Sequence, residues 1–293
     1  MTETQTRLAS GIGALLVILP ILVWGGFWGV LALVYLAAVW SMHEMATMAL
    51  PEQRNAAFGL LLVFGTPLFL LAALSTSATI PGTDIALPDR SLLLLSALAL
   101  GFQGSAVFFL FTAESTDGLA DRWGRFLLAL IYVPLLLGLL PSIVVLEGGR
   151  GWIWVALAVG WFGDIGGYFA GRAFGKHKML PLISPKKTWQ GFAGGVALAV
   201  LGLVVWKFLI FDWTARGEVT MTLLDCLIIG VFGDVAGVAG DFVESMLKRT
   251  WGVKDSGRFL PGHGGMLDRI DAVMFAAPMV WAWLVVVRPL VLA

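Results

Sequence analysis

Apolar residues run along this chain in stretches of about 17 to 25 positions, the length a helix needs to cross the hydrocarbon core of a bilayer, and polar residues gather in the breaks between them. Nine such stretches stand at 9–26, 28–49, 57–76, 92–112, 125–146, 152–171, 191–211, 222–243 and 271–288. The pattern predicts an all-α, polytopic integral membrane protein of about nine transmembrane helices. The first two stretches are separated only by W-G-G-F-W-G around Gly25 and Gly26, which reads as a tight turn with interfacial Trp. No repeat, low-complexity tract or soluble domain interrupts the pattern. Residues 1–293 are therefore expected to form one transmembrane domain, with membrane helices over 1–150 and catalytic helices and loops over 151–293.

Composition agrees: 59% of residues are hydrophobic, only 13% are charged, and the mean hydropathy is +0.90. A soluble single-core protein is excluded by these values. The formal net charge of zero says little, because in a membrane protein the informative quantity is which loops carry the charge. Of the 19 Lys and Arg, five (Arg90, Arg150, Lys207, Arg216 and Arg288) fall on one side of the nine-span arrangement and fourteen on the other. The positive-inside rule puts the fourteen, and with them the loops 172–190 and 244–270, in the cytoplasm. The apolar stretch after Arg7 lacks a small-residue cleavage site and reads as a retained helix. A short N-terminus without a transit peptide points to the inner (plasma) membrane of a bacterium. The single cysteine, Cys226, lies in an apolar run and reads as a buried structural thiol. Trp152, Trp154, Trp281 and Trp283 read as interfacial or packing anchors.

Against this apolar background the segment from Ser245 to Asp271 is dense in charge. Ionisable residues beside membrane spans mark a functional site. Lys248, Arg249, Lys254, Arg258 and Arg269 suit phosphate groups, and Asp255, Asp268 and Asp271 suit a hard divalent cation such as Mg²⁺. Upstream, Gly230, Asp234, Gly237, Asp241, Ser245 and Lys248 recur at helical spacing and are expected on one face. The glycines serve close helix packing, and the aspartates are either functional or paired with basic residues of the bundle. Downstream, Pro261-Gly262-His263-Gly264-Gly265 permits positive φ and can aim N–H groups at an anion. Asp268 and Asp271 follow at i, i+3 where a helix starts, and carboxylates there could hold Mg²⁺ with positions open for substrate phosphates. His263 is either a general base or a positioning residue.

The segment resembles the signature of the CDP-diacylglycerol synthases, or phosphatidate cytidylyltransferases, through Ser245, Lys248-Arg249, Lys254-Asp255, Gly257, Leu260-Pro261, His263-Gly264-Gly265 and Asp268-Arg269-Ile270-Asp271. Ser184-Pro185-Lys186-Lys187-Thr188 is similar to a second stretch of that family, Asp164 to Tyr168 to a third, and Glu44 stands where members often have a glutamate. Two positions depart: Ile165 replaces a usual hydroxyl, and Gln190 replaces an expected glutamate while keeping hydrogen-bonding ability. The resemblance implies transfer of the cytidylyl group of CTP to phosphatidic acid, giving CDP-diacylglycerol and pyrophosphate. It implies Asp241, Asp268 and Asp271 as metal ligands, with Asp164 helping to hold or orient the site. It further implies Mg²⁺ as cofactor, with K⁺ as a second candidate cation. Lys186, Lys187, Lys248, Arg249, Lys254 and Arg269 would neutralise phosphates. Ser184, Thr188, Ser245, Gly264 and Gly265 would contact substrate. Arg172, Lys176 and Lys178 read as topology determinants meeting anionic headgroups, and His177 as solvated. The implied partners are CTP, phosphatidic acid and membrane lipids, with no nucleic acid and a homodimer as the candidate assembly. Two other classes are weighed. A CDP-alcohol phosphotransferase would carry an Asp-Gly-x-x-Ala-Arg opening, which is absent. A transporter would use Asp234 and Asp241 as coupling carboxylates and leave the dense signature without a purpose.

Overall fold

A computed structural model of the chain describes residues 3–259 and 264–292. Helices occupy the predicted stretches: α1 (Glu3–Trp24), α2 (Gly26–Ala49), α3 (Pro51–Ala73), α4 (Arg90–Phe111), α5 (Leu119–Ile143), α6 (Gly149–Phe174), α7 (Trp189–Thr214), α8 (Leu223–Thr250) and α9 (Leu267–Val291). Among the described residues eight of them, α2 to α9, are long and apolar enough to cross a bilayer. In α1 the apolar stretch Gly11–Trp24 is shorter, so this first span of the nine is the one the structure leaves below that length. The turn between α1 and α2 narrows to Gly25, and Gly26 has φ of 57°, a left-handed backbone that glycine adopts at little cost.

Five of the helices each contain one π turn: Leu61–Gly65, Ile131–Leu135, Lys207–Phe211, Ile229–Gly233 and Trp283–Val287. The architecture is all-α as expected, with one local addition in loop 172–190. This loop folds into a small antiparallel hairpin of β1 (Lys178–Leu180) and β2 (Ser184–Thr188), with Lys178 opposite Thr188 and Leu180 opposite Ser184.

The chain divides into two compact units. The first comprises Met1–Ser142 with Val253–Asp268, and its buried core includes Met42, Met45, Leu61, Phe69 and Phe126. The second comprises Ile143–Gly252 with Arg269–Ala293 and is centred on Trp152, Ile153, Leu203 and Phe211. Large side chains such as Leu16, Leu110 and Leu209 remain exposed on the helices, as lipid-facing positions do. Within the second unit α6 and α7 approach backbone to backbone. A side-chain carbon at Gly166 would collide with the carbonyl of Gly194, and one at Gly194 with Ala170. The small residues at these positions are what permits that crossing.

In the second unit Asp225, fully buried, opens α8 with a capping box: Thr222 N and Oγ1 donate to its Oδ2 at 2.8 and 2.9 Å. Its Oδ1 accepts from Trp283 Nε1 at 2.8 Å and from Arg288 Nε at 3.0 Å, and the Arg288 guanidinium lies 5.3 Å from the Trp152 ring centroid. Trp152 and Trp283 are thus packing anchors inside the protein, and Cys226 is buried as expected.

Candidate active site

In the second unit the hairpin and the start of α7 fix one another. Thr188 ends β2 in extended backbone and caps α7, its Oγ1 accepting from Gly191 N at 3.1 Å. Gln190 Oε1 accepts from the backbone N–H groups of Lys176 and His177 at 3.0 and 3.1 Å, and its Nε2 lies 2.8 Å from His177 Nδ1. His177 is exposed, yet it is tied to the hairpin base rather than simply solvated. Gln190 therefore holds the loop closed through an oxygen that a glutamate would also supply.

This bracing sets the two lysines. Lys186 is exposed, whereas Lys187 is half-buried, ion-paired with Asp241 Oδ2 and placed 5.0 Å from the Phe242 ring centroid. Asp241 also receives a long hydrogen bond, 3.4 Å, from Ser245 Oγ one turn on. One turn before the end of the helix, Glu244, 1% exposed, pairs with Lys248 at i, i+4. Beneath the hairpin lies a cavity of about 460 Å³ whose wall includes Asp164, Arg172, Lys186, Lys187 and Asp234. Of these, Asp164, Arg172 and Lys186 are exposed, Lys187 is half-buried and Asp234 is buried.

The expected stripe on α8 holds only in part. Across the π turn at Ile229–Gly233, Gly230 packs against Val200 of α7. Asp234 then faces Gly163 and Gly195, while Gly237 and Gly240 face Ala272 and the Asp271 carbonyl of α9. Asp234 makes no ion pair among the described residues, and its buried Oδ2 has no hydrogen-bond partner. Asp241 does pair with a base, and that base is one of the motif lysines.

The first unit contains a separate set of charges. Glu44, a carboxylate 3% exposed within α2, accepts from the N–H groups of Met266 and Leu267 at 2.9 and 2.8 Å and from Trp40 Nε1 at 3.1 Å. Asp268 Oδ2 accepts from Ser256 N at 3.0 Å and Gly265 N at 2.8 Å. Ser256 Oγ lies 3.1 Å from Glu44 Oε2 and 2.9 Å from Asp268 Oδ2, sharing its single proton between them. Gly265 N–H, at the end of the glycine-rich turn, is thus aimed at the carboxylate of Asp268, and the next two N–H groups, of Met266 and Leu267, at buried Glu44, whose burial requires such partners. Gly264 has φ of 85°, and a side-chain carbon at Gly265 would lie 2.6 Å from Gly257 N and 2.7 Å from Glu44 Oε1. These glycines make room for the carboxylates. His263 lies outside the described residues.

Lys254, Asp255, Arg249 and Arg269 are exposed, and Ser184 is half-buried in β2. Glu44, Ser256 and Glu244 carry more of the geometry than their place in the sequence reading suggests. A lone glutamate inside an apolar span was the available signal for Glu44, and an i, i+4 acid–base pair was the signal for Glu244. Among the described residues no group of three or more His, Cys, Asp or Glu is gathered to hold a metal. The donors near Asp241 are nonetheless all oxygen, from Asp241 itself and Ser245. Such donors suit Mg²⁺, which keeps water and takes substrate phosphates as ligands rather than a full protein cage.

A model of the cytidylyltransferase family matches residues 5–287. A phosphatidate cytidylyltransferase of Staphylococcus haemolyticus is 34% identical over 281 residues, covering 94% of this chain and 96% of that protein. One of Mycobacterium tuberculosis is 39% identical over 151 residues, 52% of this chain and 44% of that protein. One of Bacillus subtilis is 39% identical over 162 residues, 55% of this chain and 58% of that protein.

Proposed function

This chain belongs to the cytidylyltransferase family, and from that membership we infer that it transfers the cytidylyl group of CTP to phosphatidate, giving CDP-diacylglycerol and pyrophosphate. End-to-end similarity to a phosphatidate cytidylyltransferase carries this reading. Similarity over 94% of the chain embraces the membrane helices as well as the charged loops, so it concerns the whole enzyme and not a shared motif.

In the reaction a phosphate oxygen of phosphatidate forms a bond to the α-phosphorus of CTP, and the bond from that phosphorus to the bridging oxygen of pyrophosphate breaks. Both substrates are anionic, so the task of the protein is positioning and charge neutralisation. Lys187 and Lys186 on the braced hairpin are assigned to the phosphates, and Arg172 to the rim of the same cavity. In the resting arrangement Lys187 is held by Asp241, which keeps its ammonium in place before substrate arrives. Asp241 and Asp271 would hold Mg²⁺ in the second unit. Bound there, the ion would neutralise charge on the triphosphate and the leaving pyrophosphate. Asp268 is assigned to ordering the turn that precedes α9, in support of the exposed Arg269. Arg249 and Lys254 are further phosphate-neutralising positions.

The protein is an integral membrane protein, and the relatives described above are bacterial. The bacterial plasma membrane, with loops 172–190 and 244–270 facing the cytoplasm, is the setting that the Lys and Arg distribution supports. A homodimer rests on the family resemblance alone, since the glycines of α6 and α7 are used in packing those two helices together. The test is turnover by purified protein in detergent with CTP and phosphatidic acid, following pyrophosphate and the lipid product. Formation of CDP-diacylglycerol in step with pyrophosphate is the expected result. Absence of that product from folded, lipid-replete protein would overturn the reading.

A further inference from the structure

Asp234 is the feature of the second unit that the reaction as described leaves unused. It is 3% exposed, it lines the 460 Å³ cavity, and its Oδ2 has no hydrogen-bond partner. An unsatisfied buried carboxylate is costly, and its persistence calls for a donor that arrives with a ligand. The surroundings have been cleared for it. A side-chain carbon at Gly163 would overlap Oδ1, and one at Gly195 would lie 3.3 Å from Oδ2. Two glycines on different helices thus leave the carboxylate at the cavity wall, with the ring of Phe192 on the same lining.

The position along α8 says which part of a ligand would meet it. Asp234 precedes Asp241, the partner of Lys187, by seven residues, or about 10 Å of helix rise. That separation is comparable to the reach of a nucleotide from its α-phosphate to the far edge of its base. With the phosphates at exposed Lys186 and half-buried Lys187, the base would point toward buried Asp234. Cytosine presents an exocyclic N4 amine there, a donor suited to a carboxylate acceptor, and uracil presents O4, an acceptor that a carboxylate repels.

We propose that Asp234 is the specificity residue for the nucleobase, accepting a hydrogen bond from the cytosine N4 amine and excluding uracil. This rests on the reading that CTP is the substrate. A site built around a base donor discriminates strongly against an analogue that lacks it, because the buried acceptor is then left unpaired.

The experiment compares kcat/KM for CTP and UTP in the wild-type enzyme, Asp234→Asn and Asp234→Ser, all in detergent with phosphatidic acid. The same two nucleotides are tested for protection against thermal unfolding without the lipid. Asn is nearly isosteric with Asp and offers an amide N–H to O4, and Ser keeps the site small and polar. The expected result is that wild type prefers CTP and that Asp234→Asn lowers the CTP:UTP ratio at least tenfold, with Asp234→Ser lowering it as well. Thermal protection should lose its preference for CTP in step. An unchanged ratio in both folded variants would overturn the assignment, including the case where only the cation requirement moves, since Asp234 would then serve a metal. If wild type forms no CDP-diacylglycerol, the reaction reading fails by itself. Base-selective protection lost in Asp234→Asn would still uphold the nucleobase site, and protection blind to the base would overturn it.

Discussion

Glu44 accepts a hydrogen bond from the backbone N–H of Leu267 at 2.8 Å, tying together positions 223 residues apart. Leu267 opens α9, and the first N–H groups of a helix have no partner within it. Glu44 supplies that partner from inside α2 and takes the N–H of Met266 as well. Glu44→Ala is expected to strand two donors, at a cost of about 1–3 kcal/mol for the buried one at Leu267 and less for the part-buried one at Met266. Hydrogen exchange at the amides of Met266 and Leu267 should quicken while exchange in α6 and α7 stays unchanged. Glu44→Gln, which keeps one good acceptor, should fall between the two. Unaltered exchange in Glu44→Ala would show that the turn is held by other means.

Lys187→Ala should lower kcat by roughly 10²- to 10³-fold, the usual loss when a charge-neutralising group is removed from a transition state. Lys187→Arg should recover part of it. Because Lys187 is paired with Asp241, the double variant Lys187→Ala/Asp241→Asn should cost less than the product of the single effects. Steady-state kinetics on the four proteins settle this, and strict additivity would mean that the pair does not act as a unit in turnover.

Metal dependence follows from the carboxylates. Chelation of Mg²⁺ is expected to stop turnover and its return to restore it. Asp241→Ala should cut activity on the order of 100-fold and raise the Mg²⁺ concentration for half-maximal rate. Asp268→Ala should also lose activity. Its Oδ2 is committed to Ser256 and Gly265, so the loss is expected to leave that Mg²⁺ midpoint close to wild type. A Mg²⁺ titration of each variant measures the difference, and a midpoint shifted as far in Asp268→Ala as in Asp241→Ala would return Asp268 to the role of ligand.

The Asp225–Arg288–Trp283 cluster makes a prediction about stability alone. Asp225→Ala removes one partner of a buried ion pair and should destabilise by about 3–5 kcal/mol, read as a lower unfolding midpoint in detergent. At a temperature where the variant is folded, its KM values for both substrates should match wild type. A changed KM would connect this cluster to the site.

Nearly all of the helical framework could be read from apolar run lengths, because a bilayer demands them. The hairpin at 178–188 could not, since its strands are short, β2 contains Pro185, and the pairing is sustained by Gln190 from beyond the strands. Lys187 and Asp241 were each legible as charges with a purpose, but not that they meet, because pairing across sequence is a property of the packed bundle. That N–H groups are offered to an anion where the glycine-rich turn ends was legible, and the anion was not. Sequence spacing shows that N–H groups can converge, while Glu44 lies more than 200 residues away. The π turn at Ile229–Gly233 was not legible either, because helical spacing assumes uniform winding.

That turn has a further consequence, for how this protein tolerates change in length. Each residue advances an α-helix by roughly 100° about its axis, so one residue gained or lost swings everything beyond it to another side. Within Ile229–Gly233 the surplus is already absorbed as a local widening of the coil. Shortening α8 by one residue there would reset Asp241, Ser245 and Lys248 together, as one rigid phase change, without altering a single charged side chain. The angular setting of the chemistry thus resides in a wholly uncharged segment, where an inventory of ionisable residues would never look.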